Sequence, residues 1–324
     1  MRKKIYFAIM FVMLIMTAGT VTADTITVGK TGEANYTTIQ EAINNANDAD
    51  TILVYPRTYT ENVNVNKSLI IISKSGNPDD TIVLAASPRE HIFNVTKDNV
   101  TISGFEITGA NYFPSAGIYI NKVNNNNISS NKLSNNEIGI DLHGSNHNML
   151  NNNIASNNER GISLSNSHNN DLINNDAFNS HTGIYLWGSS NNILGNNNAI
   201  LNREFGIWIE DASNNNTLSD NKIANNEQGV YLEESSNNNT LVNNTINSNF
   251  YGIEITTSSN NTVKDNFLSN NTKSIVTKDS NNQIYNNEIK DRETHDGNTS
   301  QIPFIDPLLT VIILGIVFVF IRKN

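Results

Sequence analysis

From residue 117 to residue 277 the apolar positions fall in runs of three or four residues, separated by asparagine-rich stretches. The whole pattern returns every 22 or 23 residues. Its clearest marker is a tetrad: Gly117-Ile118-Tyr119-Ile120, Gly139-Ile140-Asp141-Leu142, Gly161-Ile162-Ser163-Leu164 and Gly183-Ile184-Tyr185-Leu186. Gly206-Ile207-Trp208-Ile209, Gly229-Val230-Tyr231-Leu232 and Gly252-Ile253-Glu254-Ile255 follow, and Ser274-Ile275-Val276-Thr277 is a degraded last copy. Within each tetrad, apolar and polar side chains alternate with period two. That is the signature of a strand with one buried face, and the runs are too short for helices.

Two asparagine columns keep the same register. Asn126, Asn148, Asn170, Asn192, Asn216, Asn239, Asn261 and Asn282 each stand two residues before an apolar side chain. Asn131, Asn153, Asn175, Asn197, Asn221, Asn244, Asn266 and Asn287 lie five residues further on. Each repeat therefore predicts three short strands joined at asparagine corners. Asparagine tolerates the left-handed backbone of a tight corner, and stacked copies can bond along the axis. A fixed period of this length makes a solenoid. The predicted fold is all-β, a parallel β-helix, with Ile140, Leu142, Ile207 and Ile209 pointing into a narrow core. The glycine column is expected where the chain turns tightly into the strand.

Residues 24–116 are less regular and read as the first coils of the same solenoid. Tyr36 to Ala46 predicts an amphipathic helix with Ile39, Ala42, Ile43 and Ala46 on one face, placed to cap the open end of the core. Strands are expected at 51–55, 62–65, 68–72, 81–84, 91–95 and 100–105. The predicted organisation is 1–23 leader, 24–290 solenoid, 291–301 polar linker and 302–324 membrane or sorting segment.

The leader reading rests on basic Arg2-Lys3-Lys4, the apolar stretch from Ile5 to Ala18, and Val21-Thr22-Ala23 before Asp24. At the other end, Leu308 to Ile321 is unbroken apolar sequence followed by Arg322-Lys323-Asn324. This predicts a rod outside the cell, tethered at its C-terminal end with the basic residues inside. Between these segments lie 16 Lys and Arg against 30 Asp and Glu, a balance of −14 that argues against a nucleic-acid partner. The chain has no cysteine, so no disulfide framework supports it. Asn-x-Ser/Thr sequons occur at Asn35, Asn66, Asn94, Asn99, Asn127, Asn215, Asn238, Asn243, Asn260, Asn270 and Asn298. So asparagine-rich a chain also makes them by chance.

Thr38-Ile39-Gln40-Glu41-Ala42-Ile43, Asp50-Thr51-Ile52-Leu53-Val54 and Tyr59-Thr60-Glu61-Asn62 together resemble the opening of NosD-type β-helix proteins. Val100 to Ile107 is similar to the family's strand ahead of the repeats. With the Gly-Ile repeats, the resemblance covers roughly residues 24–290. It implies a right-handed β-helix of the carbohydrate-binding and sugar-hydrolase (CASH) type, and leaves the chemistry open. The C-terminal tail resembles the sorting tails of archaeal surface proteins. NosD-type proteins are also linked to copper insertion. Here His143, His147, His168 and Met149, without cysteine, make a poor soft-metal set and read as surface polar groups. No cofactor or metal is expected.

The side chains alternating outward from the tetrads form two columns. One is Tyr119, Asp141, Ser163, Tyr185, Trp208, Tyr231 and Glu254; the other is His143, Ser165, Trp187, Glu210, Glu233 and Thr256. Tyr185, Trp187, Trp208 and Tyr231 should converge beside Glu210, Glu233 and Glu254. Aromatic rings stack on sugar faces and carboxylates accept from hydroxyls, so this is the candidate glycan site. The competing reading is an aromatic ladder that only stabilises parallel strands. No acid, histidine and arginine constellation of a polygalacturonase or lyase stands in the repeats. The expectation is a surface protein with a structural or glycan-binding role, its partner a polysaccharide or envelope glycan. The alternatives are a polysaccharide-acting enzyme and a copper-handling accessory protein.

Overall fold

A computed structural model describes residues 23–278 and 281–291. The leader, tail and most of the linker lie outside the described residues. The chain winds as a solenoid of three parallel sheets, of 12, 11 and 10 strands, with each strand bonded to its counterparts one coil before and one coil after. The tetrads build the 10-stranded sheet, which we call the Gly-Ile sheet. The segments after the two asparagine columns build the 12- and 11-stranded sheets.

The core is one column of apolar side chains per sheet position. Ile140, Leu142, Leu150 and Ala155 fill one coil, and Ile162, Leu164, Leu172 and Ala177 the next, all without solvent exposure. The helix runs over Ile39–Asn45 and buries Ile39, Ala42 and Ile43 on the first coil. Thr38 caps its start by accepting from the Glu41 N–H. The Glu61 carboxylate accepts from the Ile39 and Gln40 N–H groups at 2.9 and 3.0 Å. Lys67 Nζ donates to the carbonyls of Ile43, Asn44 and Ala46 at the other end. Both orphan ends of the helix backbone are thus met by charged side chains of the second coil. The front half also contains strands that alternation did not mark, at Arg57–Thr60 and Glu106–Thr108.

The corners divide two jobs between adjacent residues. The left-handed backbone sits on the residue before the ladder side chain: Asn152 and Asn157 ahead of Asn153 and Asn158 (φ 56° and 55°), Asn174 and Asn179 ahead of Asn175 and Ser180 (56° and 53°). The ladder asparagine itself turns inward and is buried. Asn175 Oδ1 accepts from the Asn153 N–H and Nδ2, at 3.0 Å each, while Asn175 Nδ2 donates to the Leu150 carbonyl at 2.9 Å. Each buried amide therefore has its partners, as burial demands. Two further ladders escaped the sequence reading: Asn136, Asn158, Ser180, Asn202, Asn226, Asn249 and Asn271, and Ser145, Ser167, Ser189, Ser213, Ser236 and Ser258.

The glycine column has a cause other than turn geometry. None of its members has a positive φ. A Cβ on Gly139, Gly161 or Gly229 would lie 2.5 Å from the carbonyl oxygen of the next coil's glycine. Glycine is required there because the coils approach too closely for any side chain.

Candidate functional site

The same close approach shapes the outer face of the Gly-Ile sheet. A Cβ on Gly206 would point into the core, 2.8 Å from Ile223 Cγ2. Gly206 and Ile207 therefore both face inward, and Phe205 is turned to the outer face, where neighbouring rings cover it to 5 % exposure, whereas strict alternation would have pointed it into the core. Phe205 stands in register with Thr182 and Gln228, Trp208 with Tyr185 and Tyr231, and Glu210 with Trp187. Glu233 continues that last column just past the strand Gln228–Leu232.

The predicted aromatics converge, with one exception and one addition. Tyr185 and Trp208 lie 4.8 Å apart between ring centroids. Phe205, missed by the sequence, stacks on Trp208 at 4.4 Å and on Tyr231 at 5.7 Å. Trp187 is the exposed member, at 38 %, and flanks Glu210 across the strand pair without joining the stack. Trp208 and Tyr231 are half-buried. The outward columns are less open than alternation implied: Tyr185 is 6 % exposed and Glu254 8 %, each lying under its neighbours.

The acids are already engaged with the rings. Trp208 Nε1 donates to Glu233 Oε1 at 3.0 Å, and the Tyr231 hydroxyl donates to Glu233 Oε2 at 2.8 Å. The Tyr185 hydroxyl donates to Glu210. The Arg160 guanidinium lies 4.3 Å over the Tyr185 ring, a cation–π contact. Burial pushes Glu210 above the usual carboxylate range; the Tyr185 hydroxyl pulls it back, and Glu233 and Glu234 push it further. Burial raises the Tyr185 and Tyr231 hydroxyls too. The result is a rigid surface whose rings are locked by carboxylates, each with lone pairs left to accept more.

Beside the rings runs a cleft of 220 Å³ that the sequence did not reveal. Phe113, Glu137, Glu159, Arg160, His181 and Trp208 are among its lining residues. Phe113, 70 % exposed, forms its lip on the loop before the first tetrad. His181 Nε2 lies 2.7 Å from Glu204 Oε2, and its Nδ1 lies 3.8 Å from Glu159 Oε1. Arg203 Nη2 holds the other oxygen of Glu159 at 2.8 Å. Burial and the Glu159 charge raise Glu137, with Arg160 opposing. Glu137, Glu159, His181 and Glu204 each stand two residues before a tetrad glycine, a charged column in the repeat's own register that the apolar and asparagine marks did not single out.

Among the described residues, no group of three or more His, Asp or Glu could hold a metal ion. His168 Nδ1 instead accepts from the Ser190 N–H, and His91 Nδ1 from the Ala116 N–H, each at 3.0 Å.

The model of the family described as "Right handed beta helix region" matches residues 34–200 and 116–268. A "Cell surface glycoprotein" of Methanothermus fervidus is 32% identical over 139 residues, 42% of this chain and 21% of that protein. The chain thus spans about a fifth of the curated relative it matches. Among solved structures, the A-module of the Azotobacter vinelandii mannuronan C-5 epimerase AlgE6 superposes with TM-score 0.59 at 14% identity, over 79% of this chain and 95% of that one. Pectate lyase Pel9A does so with TM-score 0.52 at 15% identity, over 83% and 80%. At such identities the likeness is one of fold.

Proposed function

The chain belongs to the right-handed β-helix family, and from that premise we propose a cell-surface protein that binds an extended glycan along its Gly-Ile sheet. The observation that carries the reading is the locked aromatic surface: Trp187 open to solvent, with Trp208 and Tyr231 half-open and pinned by Glu233. Trp187, Trp208 and Tyr231 stack on sugar faces. Glu210 and Glu233 accept from hydroxyls with their free lone pairs. Tyr185 and Glu254, being buried, act by positioning the rings above them. Coils about 4.8 Å apart repeat near the length of one sugar unit, so a chain along the rod meets equivalent groups in turn. An open face buries little ligand, so binding is weak.

The surface location draws support from the cell-surface relative and from the leader and tail sequences. The resemblance at residues 38–62 favours the NosD-type, carbohydrate-binding branch of the family. In this reading Leu308 to Ile321 tethers the rod, with Arg322 and Lys323 inside. The test is to titrate the purified protein with envelope and plant polysaccharides while following tryptophan fluorescence. At least one should shift the emission, and Trp187→Ala/Trp208→Ala, which removes both tryptophans of the chain, should abolish binding as read by titration calorimetry, with circular dichroism unchanged. Silence with every polysaccharide returns the face to a purely structural role.

The cleft favours a second reading, a polysaccharide-acting enzyme. Glu159 and His181 would exchange protons and Arg160 would orient the sugar, next to the track that delivers it. Release of reducing ends, lost in His181→Ala, supports that reading; binding without release leaves the protein non-catalytic.

A further inference from the structure

Where the chain turns into the 12-stranded sheet, Asn215, Asn238 and Asn260 hold the same corner in three consecutive coils. Each has a left-handed backbone, at φ 58°, 59° and 58°. Each side chain is exposed, and its amide makes no hydrogen bond among the described residues. Two residues on, Thr217, Thr240 and Thr262 stand opposite one another in the sheet. The residues between, Asn216, Asn239 and Asn261, belong to the buried ladder.

The register keeps the ladder asparagines out of sequons. Two residues after each comes a core side chain, here Leu218, Leu241 and Val263. Any acceptor formed in these corners is therefore on the surface, and exposure alone says little. Position says more. Residues 128–214 hold 23 asparagines and no Asn-x-Ser/Thr; residues 215–272 hold 17 and five. The remaining two of those five, Asn243 and Asn270, are also left-handed and exposed. One repeat runs through both stretches, and the difference lies in threonine: residues 128–214 hold one and residues 215–272 hold seven, three of them placed so that Asn-x-Thr recurs at one corner in consecutive coils.

We infer that the C-terminal coils carry N-linked glycans, concentrated in the stripe Asn215, Asn238 and Asn260. The coils that bear Trp187, Trp208 and the cleft have no acceptor between residues 128 and 214. The donor class is a lipid-linked phospho-oligosaccharide. The asparagine amide nitrogen bonds to the anomeric carbon, the carbon–oxygen bond to phosphate breaks, the amide loses one proton, and the lipid phosphate leaves. The sequon threonine marks the acceptor.

The test is glycopeptide mass spectrometry on the full chain purified from the cells that naturally make it. Peptides containing Asn215, Asn238 and Asn260 should carry sugar mass. Thr240→Ala should remove the sugar from Asn238 alone, and Thr240→Ser should keep it. The threonine variants leave both the corner and ladder asparagines in place, and an unchanged thermal transition shows that the fold survives. Unmodified peptides at all three positions in the native protein overturn the inference, as does sugar on Asn238 that persists in Thr240→Ala. The outcome is independent of whether the aromatic face binds anything.

Discussion

At the scale of the residue, contacts within the stack outweigh intrinsic preference. Gly183 shows this: a Cβ there would stand 2.6 Å from Gly206 O and 2.7 Å from Asn202 Nδ2. Both neighbours are held by the ladder and cannot withdraw. Gly183→Ala should lower stability by about 1–3 kcal/mol, despite its ordinary φ, as read from a urea transition. Asp141 gives the matching case for charge. Burial lifts its carboxyl from 3.8 to about 6, against the Ser163 hydroxyl and Arg160. Between those pH values the folded chain keeps a proton that the unfolded chain has lost. Stability therefore falls as pH rises through the window, and the penalty is complete above about 6. Asp141→Asn should be more stable than the parent at neutral pH by up to about 3 kcal/mol, with the gap closing towards about pH 3. Thermal unfolding of both chains across that range checks the sign. A gap that widened on acidification would rule out the buried-acid account.

At the scale of the element, the coil was legible because the Gly-apolar-x-apolar tetrad recurs in seven copies and the two asparagine columns in eight. The inward set Ile140, Leu142, Ile207 and Ile209 is buried as that repeat predicts. What those two marks did not cover was hidden. The third ladder is interrupted by Ser180, so it never read as a column. Phe205 was invisible because Gly206 breaks the alternation that would have placed it. The cleft joins Phe113, on the irregular loop before the first tetrad, to Glu159 and His181, which keep the repeat's period but carry neither its apolar nor its asparagine mark. The interruption at Ser180 can be used directly. Asn158 Nδ2 bonds the Leu133 carbonyl and Asn202 Nδ2 the Ala177 carbonyl, each 25 residues back. Ser180 Oγ only accepts from the Asn158 N–H, at 3.2 Å, and reaches the Phe178 carbonyl. Ser180→Asn should complete the run with a bond to the Ala155 carbonyl and raise stability by about 1 kcal/mol, seen as a higher urea midpoint at unchanged slope. A lower midpoint would mean that the corner has no room for the amide.

At the scale of the whole molecule, the proposed arrangement is an external rod tethered by its C-terminal segment. Protease added to intact cells should then remove the solenoid and spare a tag placed after Asn324; a rod that survives would sink this topology. The helix at Ile39–Asn45 seals the N-terminal coil, whereas Ile284, Tyr285 and Ile289 on the last described coil are exposed. Each strand bonds only to the coils immediately before and after its own. No coil therefore has to wait for a distant part of the sequence. Translation supplies about 5–20 residues per second, N-terminus first, so a new coil is ready roughly every one to four seconds. Each arrives beside a finished template that already presents its amides, carbonyls and apolar floor. The seal at the front makes synthesis and folding run in the same direction, and the growing chain is a nearly complete protein at every length.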